Sequence, residues 1–190
     1  RSLGLAGWWR MLGLFVVSLG IVFVAVDVIG VATSLQIPVL DREFEIGVVA
    51  FIVVVFLVVS GFANAVNLTD GLDGLAAGAS AMAFAAFTFI GFWQFRHLDV
   101  YEVPHALDLA VVGAAMVGGI LGFLWWNAPP AQIFMGDAGS LAIGAGLAAL
   151  ALATNTHLLL PIIGGLFVVE TVSVIVQVLW FKRCRRRVFK

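Results

Sequence analysis

The chain has 190 residues, 63% hydrophobic and 11% charged, with a mean hydropathy of +1.13 and a formal net charge of -1. Soluble domains are nearer half apolar and a quarter charged, so this composition excludes one and leaves room for a single membrane domain of several helices. The one cysteine, Cys184, excludes an internal disulfide.

A helix crossing the hydrocarbon core needs ~20 mostly apolar residues. Six stretches qualify in chain order: 11–34, 46–66, 75–95, 106–126, 138–154 and 158–181. Apolar runs this long are continuous rather than alternating, which excludes a membrane β-barrel and predicts an all-α integral membrane bundle. The first span carries Asp27 and is followed by a polar connection with Pro38, Asp41, Arg42, Glu43 and Glu45. The second runs into Asn64-Ala-Val-Asn67-Leu-Thr-Asp70-Gly-Leu-Asp73-Gly-Leu. A helix cap needs one such polar residue, not five, and aspartates at a membrane edge are costly unless used or paired. Gly71 and Gly74 predict a helix end there, letting the two carboxylates converge.

The third span leads to a far-side loop with Arg96, His97 and His105, and the fourth carries Asp108 near its start. Between the fourth and fifth spans lies Asn127-Ala-Pro-Pro-Ala-Gln-Ile-Phe134-Met-Gly136-Asp137-Ala-Gly139-Ser140. Asp137 or Ser140 would serve as an ordinary helix N-cap. The same geometry would also let a helix N-terminus approach phosphate while the aspartate holds magnesium. Spacing alone balances the two readings. Three carboxylates on one membrane face, without a Cys/His cluster that would suggest zinc, turn it towards magnesium and phosphate. His157 follows the fifth span on the far side, and Glu170 sits inside the sixth, where an ionised carboxylate is expensive.

Basic residues set the orientation. Arg1, Arg10, Lys182, Arg183, Arg185, Arg186, Arg187 and Lys190 flank the first and last spans, while Arg42 and Arg96 fall on the other side. With six spans both chain ends share one side, which is expected to be the cytoplasm, as are both polar motifs.

Together the motifs at 64–76 and 134–141 resemble the second and third aspartate motifs of the polyprenyl-phosphate N-acetylhexosamine-1-phosphate transferase superfamily, glycosyltransferase family 4. Within it, Ile162-Ile-Gly-Gly-Leu-Phe-Val-Val-Glu-Thr-Val-Ser-Val-Ile-Val-Gln177 and the basic tail at 181–189 resemble the phospho-N-acetylmuramoyl-pentapeptide-transferase branch. The resemblance covers essentially the whole chain. It implies transfer of phospho-N-acetylmuramoyl-pentapeptide from its UDP carrier to undecaprenyl phosphate, releasing UMP and forming lipid I for peptidoglycan. It also implies a requirement for Mg2+ and a bacterial plasma-membrane location with the active site facing the cytoplasm. Carried over by motif, Asp137 would be a magnesium ligand, with Asp70 and Asn67 lining the diphosphate region and Asp70 a second metal contact. Asp73 and Asn127 would lie in the uridine pocket beside Phe134, and Asn64 and Glu170 in the same groove. Asp70, Asp73 and Asp137 are the expected catalytic carboxylates. Residues 1–190 would form a single transferase domain, incomplete at both ends, with six of about ten spans. A paired-aspartate motif and a histidine-rich loop would fall outside it, so the fragment alone is expected to have little activity. No nucleic-acid partner is expected, and a homodimer is left open. The rival readings are a related enzyme using UDP-N-acetylglucosamine, an ion-coupled transporter and a non-catalytic membrane subunit.

Overall fold

The computed structural model describes residues 7–28, 34–37, 42–103 and 105–185, and the side chains among these outside 27–45. Arg1, Pro38, Asp41, Pro104, Arg186, Arg187, Phe189 and Lys190 lie outside the described residues, as do the side chains of Asp27, Arg42, Glu43 and Glu45. The chain forms α1 (Gly7–Phe23), a π-helical continuation (Val24–Val28), β1 (Ser34–Ile37), β2 (Arg42–Glu45), α2 (Gly47–Thr69), α3 (Leu75–Arg96) and the short α4 (Leu98–Tyr101). There follow α5 (Ala106–Asn127), α6 (Gly136–Ala153), the short α7 (Leu160–Ile163) and α8 (Gly165–Cys184). Among the described residues six helices, five of them α2, α3, α5, α6 and α8 and the sixth running from Gly7 to Val26, are long and apolar enough to cross a membrane. The protein is a polytopic helical membrane protein.

Three boundaries differ from those expected. The first helix runs from Gly7 through its π-helical end at Val28, so Arg10 lies inside it and Ser34, expected to close the span, stands in β1. The connection after it contains an antiparallel hairpin, pairing Ser34 with Glu45 and Ile37 with Arg42. The last span is interrupted at Gly164, between α7 and α8. A side chain at Gly164 would meet the Phe62 ring at 2.5 Å, so the chain passes α2 too closely for anything larger.

In lipid the backbone must satisfy itself, and these runs of Ala, Val, Leu and Phe do so as helices. Polar side chains within them bond one turn back: Ser18 donates to the Leu14 carbonyl, Thr88 to Phe84 and Thr171 to Phe167. α5 ends where Ala128, extended ahead of Pro129, leaves the helical conformation.

α2 is the hub, packed against α1, α6 and α8, while α3 pairs along its length with α5. Val55, Val59, Val66, Phe84, Leu147 and Phe167 are fully buried at the centre. The α2–α6 crossing is tight: a Cβ on Gly144 would stand 2.5 Å from the Phe62 carbonyl oxygen and 2.6 Å from the Ala63 Cα. Only glycine permits that approach. Ala63 precedes Asn67 by one helical turn, and Gly144 follows Asp137 by about two. The crossing therefore brings the end of α2 and the start of α6 together.

Candidate functional site

α2 runs to Thr69, and residues 70–74 turn into α3 through Gly74, which adopts a left-handed φ of 76°. The two aspartates are thus on a turn, as Gly71 and Gly74 led one to expect. α6 begins beside this turn. Asn67 donates from its amide nitrogen to Asp137 Oδ1 at 3.1 Å and to Ser140 Oγ at 2.8 Å, tying α2 to α6. Ser140 is fully buried and donates to the Gly136 carbonyl at 3.0 Å. The other oxygen of Asp137 pairs with Arg10 Nη1 at 3.2 Å, bringing α1 into the cluster.

These contacts dispose of the capping interpretation. α6 has no side-chain cap. Asp137 points instead at Asn67 and Arg10, and Ser140 bonds a carbonyl rather than a free amide. Asp137 remains exposed, so its carboxylate is both oriented by neighbours and open to a ligand.

Asp70 is half-buried at the end of α2. Burial holds its carboxyl above the ordinary aspartate range, and the nearby charge of Asp137 raises it further. A divalent cation between the two would relieve that repulsion, and hard carboxylate oxygens suit magnesium. The donor set fits such an ion only in part. Among the described residues no group of three or more Asp, Glu, His or Cys side chains gathers to hold a metal. The remaining positions would fall to water or phosphate oxygens, the usual arrangement for this ion.

The other expected residues are distributed around this pair. Asp73 accepts from the Ala131 backbone N–H at 3.1 Å, across the gap to the 128–135 loop. Asn127, 3% exposed, accepts from Gly74 N–H at 3.0 Å and donates to the Ile133 carbonyl at 2.9 Å. Phe134 stands 75% exposed on the same loop, an aromatic face with nothing covering it. Asn64 donates back to the Ser60 carbonyl at 2.7 Å within its own helix. Glu170 is half-buried on α8 and makes no hydrogen bond or ion pair among the described residues. The structure therefore joins Asn67 to Asp137 directly, sets Asp70 within reach of the Asp137 charge, places Asp73, Asn127 and Phe134 on the adjoining loops, and leaves Asn64 and Glu170 apart.

Arg10 entered the sequence argument only through its charge. Its position at the edge of the first span, on the membrane side of both aspartate motifs, is the signal that would have paired it with them. An apolar groove of about 330 Å³ lies on the other side of α2, lined by Leu57, Phe62, Ala65, Leu160, Val168 and Val172 among others.

Comparison with known proteins finds relatives over the whole chain. Residues 2–155 match the model of the family described as glycosyl transferase family 4. A protein of Frankia alni named phospho-N-acetylmuramoyl-pentapeptide-transferase is 45% identical over all of this chain and 57% of its own length. One of the same name from Streptomyces griseus is 46% identical over all of the chain and 58% of its own length. Another from Frankia casuarinae is 51% identical over 78% of the chain and 44% of its own length. The chain thus spans rather more than half the length of the first of these relatives.

Proposed function

The chain belongs to glycosyl transferase family 4, and from that premise we propose that the whole protein transfers phospho-N-acetylmuramoyl-pentapeptide from UDP to undecaprenyl phosphate. The products are UMP and lipid I, and the reaction serves peptidoglycan synthesis. The observation that carries the reading is the cluster of Asn67, Asp70, Asp137 and Arg10, drawn from three helices to one end of the bundle. The names of the relatives supply the substrate.

Asp137 and Asp70 would hold the magnesium ion, which when bound neutralises the diphosphate and makes UMP a better leaving group. Asn67, held in turn by Ser140, donates to the Asp137 carboxylate and orients it before substrate arrives. Arg10 neutralises Asp137 in the absence of ligand, and its guanidinium can turn to a phosphate oxygen as the carboxylate takes up a cation. The exposed Phe134 ring offers a stacking face for the uracil, and Asp73 lies on the facing turn. The groove on the other side of α2 reaches Ala65, which two helical steps of about 100° each turn away from Asn67. Its apolar lining matches a polyprenyl tail.

The aspartate end would face the cytoplasm of a bacterial plasma membrane, following the basic residues at 10 and 182–187. Cys184, exposed and the sole cysteine, tests this directly. A membrane-impermeant maleimide should label it in inverted vesicles and spare it in intact right-side-out ones; the reverse pattern refutes the orientation.

The activity is tested by incubating the full-length protein with magnesium, a polyprenyl phosphate and either UDP-N-acetylmuramoyl-pentapeptide or UDP-N-acetylglucosamine. UMP release with the first and not the second is expected. Release with the second alone would replace the substrate, and release with neither would end the transferase reading.

A further inference from the structure

Asn127 has an unusual position for a residue expected to read a base. It is the last residue of α5, it is 3% exposed, and both ends of its amide are already engaged within the chain. The oxygen accepts from Gly74 N–H on the turn after α2, and the nitrogen donates to the Ile133 carbonyl on the loop before α6. One side chain thus connects two loops that are far apart in sequence. An amide is suited to this because it carries an acceptor and a donor on one planar group.

The neighbouring bonds run the same way. Ala131 N–H reaches Asp73 at 3.1 Å, so the loop that Asn127 holds is also the loop that positions the Asp73 carboxylate. Gln132 N–H returns to the Trp126 carbonyl at 2.8 Å, folding the segment back on the end of α5. A Cβ added at Gly74 would meet Leu124, Pro129 and the Asn127 backbone carbonyl at 3.5–3.7 Å. With Gly74 at φ 76°, its N–H is fixed in direction, and Asn127 supplies the acceptor it meets.

We propose that Asn127 is a positioning residue that locks the 70–74 turn against the 128–135 loop. It thereby sets the distance between Asp73 and Phe134 and does not contact the nucleotide base itself. The inference rests on the transferase reading for what enters between the loops, but the lock itself is a property of the ligand-free protein.

The experiment separates the two. Hydrogen–deuterium exchange of the full-length protein without ligand is compared for wild type, Asn127→Ala and Asn127→Asp. The aspartate variant keeps an acceptor for Gly74 but sets a carboxylate oxygen against the Ile133 carbonyl, so it breaks one side of the lock selectively. Exchange should rise about tenfold in peptides covering both 70–76 and 128–135 for alanine, given the cost of an unpaired buried group. For aspartate it should rise mainly in 128–135. Unchanged exchange in both loops of both variants overturns the proposal, whatever the protein transfers.

Kinetics then supply the second arm. KM for the UDP substrate should rise about tenfold with kcat changed much less, as for lost uniform binding. Preference for the uridine over the matching cytidine donor should persist. Collapse of that preference would make Asn127 a direct reader and overturn the proposal. A folded wild type that releases UMP from no UDP-sugar would instead remove the transferase reading and leave the exchange result standing.

Discussion

The two ends of this helix bundle both collect polar residues, but they use them differently. At the end where α2 finishes and α6 begins, the bonds run between elements. Asn67 and Arg10 reach Asp137, Asn127 spans two loops, and Asp73 ties the same two together. At the opposite end the bonds are mostly local. His97 Nδ1 lies 3.0 Å from the Trp93 carbonyl one turn back, and His105 pairs with Asp108 one turn ahead. The exception is buried Gln94, which donates across to the Thr154 carbonyl at 2.8 Å. Local bonds finish a helix wherever it happens to end. Bonds between helices hold separate elements at a defined spacing, which is what a reacting pair of substrates requires.

The sharpest way to break this contrast is to neutralise one carboxylate at each end of the full-length protein. Asp137→Asn should lower kcat for UMP release by ~10²–10³-fold, the scale of losing one fixed electrostatic partner. Asp108→Asn, exposed and paired only with His105, should leave the rate within about twofold. Equal losses would mean that both ends serve the reaction.

Packing is the next lever. Gly144→Ala places a methyl against the α2 backbone and should cost about 1–3 kcal/mol, seen as a lower thermal midpoint in detergent. Gly118→Ala, with no atom within 4 Å of the added carbon, should be neutral or slightly stabilising. If the two behave alike, the α2–α6 crossing is looser than described here and cannot be what aligns Asn67 with Asp137.

Titration sharpens the comparison further. Because Asp70 has a raised folded-state pKa, the folded chain binds that proton more tightly than the unfolded chain. Its contribution to stability is complete below the ordinary value of 3.8 and is lost as pH rises through the folded value. Asp70→Asn should therefore gain thermal stability relative to wild type at neutral pH, with the gain disappearing in acid. Magnesium binding, followed by calorimetry, should weaken at a higher pH than an ordinary aspartate would give. Asp137→Asn should move Asp70 titration downward, though not fully to normal, since burial is the larger cause.

The smallest effect is expected at Arg10. The guanidinium and its partner are both substantially exposed, so Arg10→Gln should change stability by no more than about 1 kcal/mol. Its consequence should show instead as a raised KM for the diphosphate substrate. A large stability loss would make Arg10 a structural prop rather than a ligand-facing charge.

Much of this was legible beforehand because membrane helices declare themselves locally. Four of the six spans fall within about three residues of the expected bounds, since a long apolar run has few alternatives to helix in lipid. Even the turn at 70–74 could be read from its glycines. The hairpin at 34–45 was not, because its strands are four residues each, too short for the alternation of Ser-Leu-Gln-Ile to stand out beside the apolar run before it. Nor was the break at Gly164, which depends on where Phe62 of another helix stands.

What the sequence determined by itself is the membrane class, the number of spans and the presence of two aspartate motifs at one end, all set by composition and short-range pattern. Which carboxylates share a site was decided by tertiary structure. Gly144 lets α6 approach α2, and that approach joins Asn67 to Asp137 and Ser140, adds Arg10 from α1, and sets Asp73 to one side on a loop held by Asn127. Such pairings depend on distances between helices more than 50 residues apart in the chain, and no local pattern carries that information.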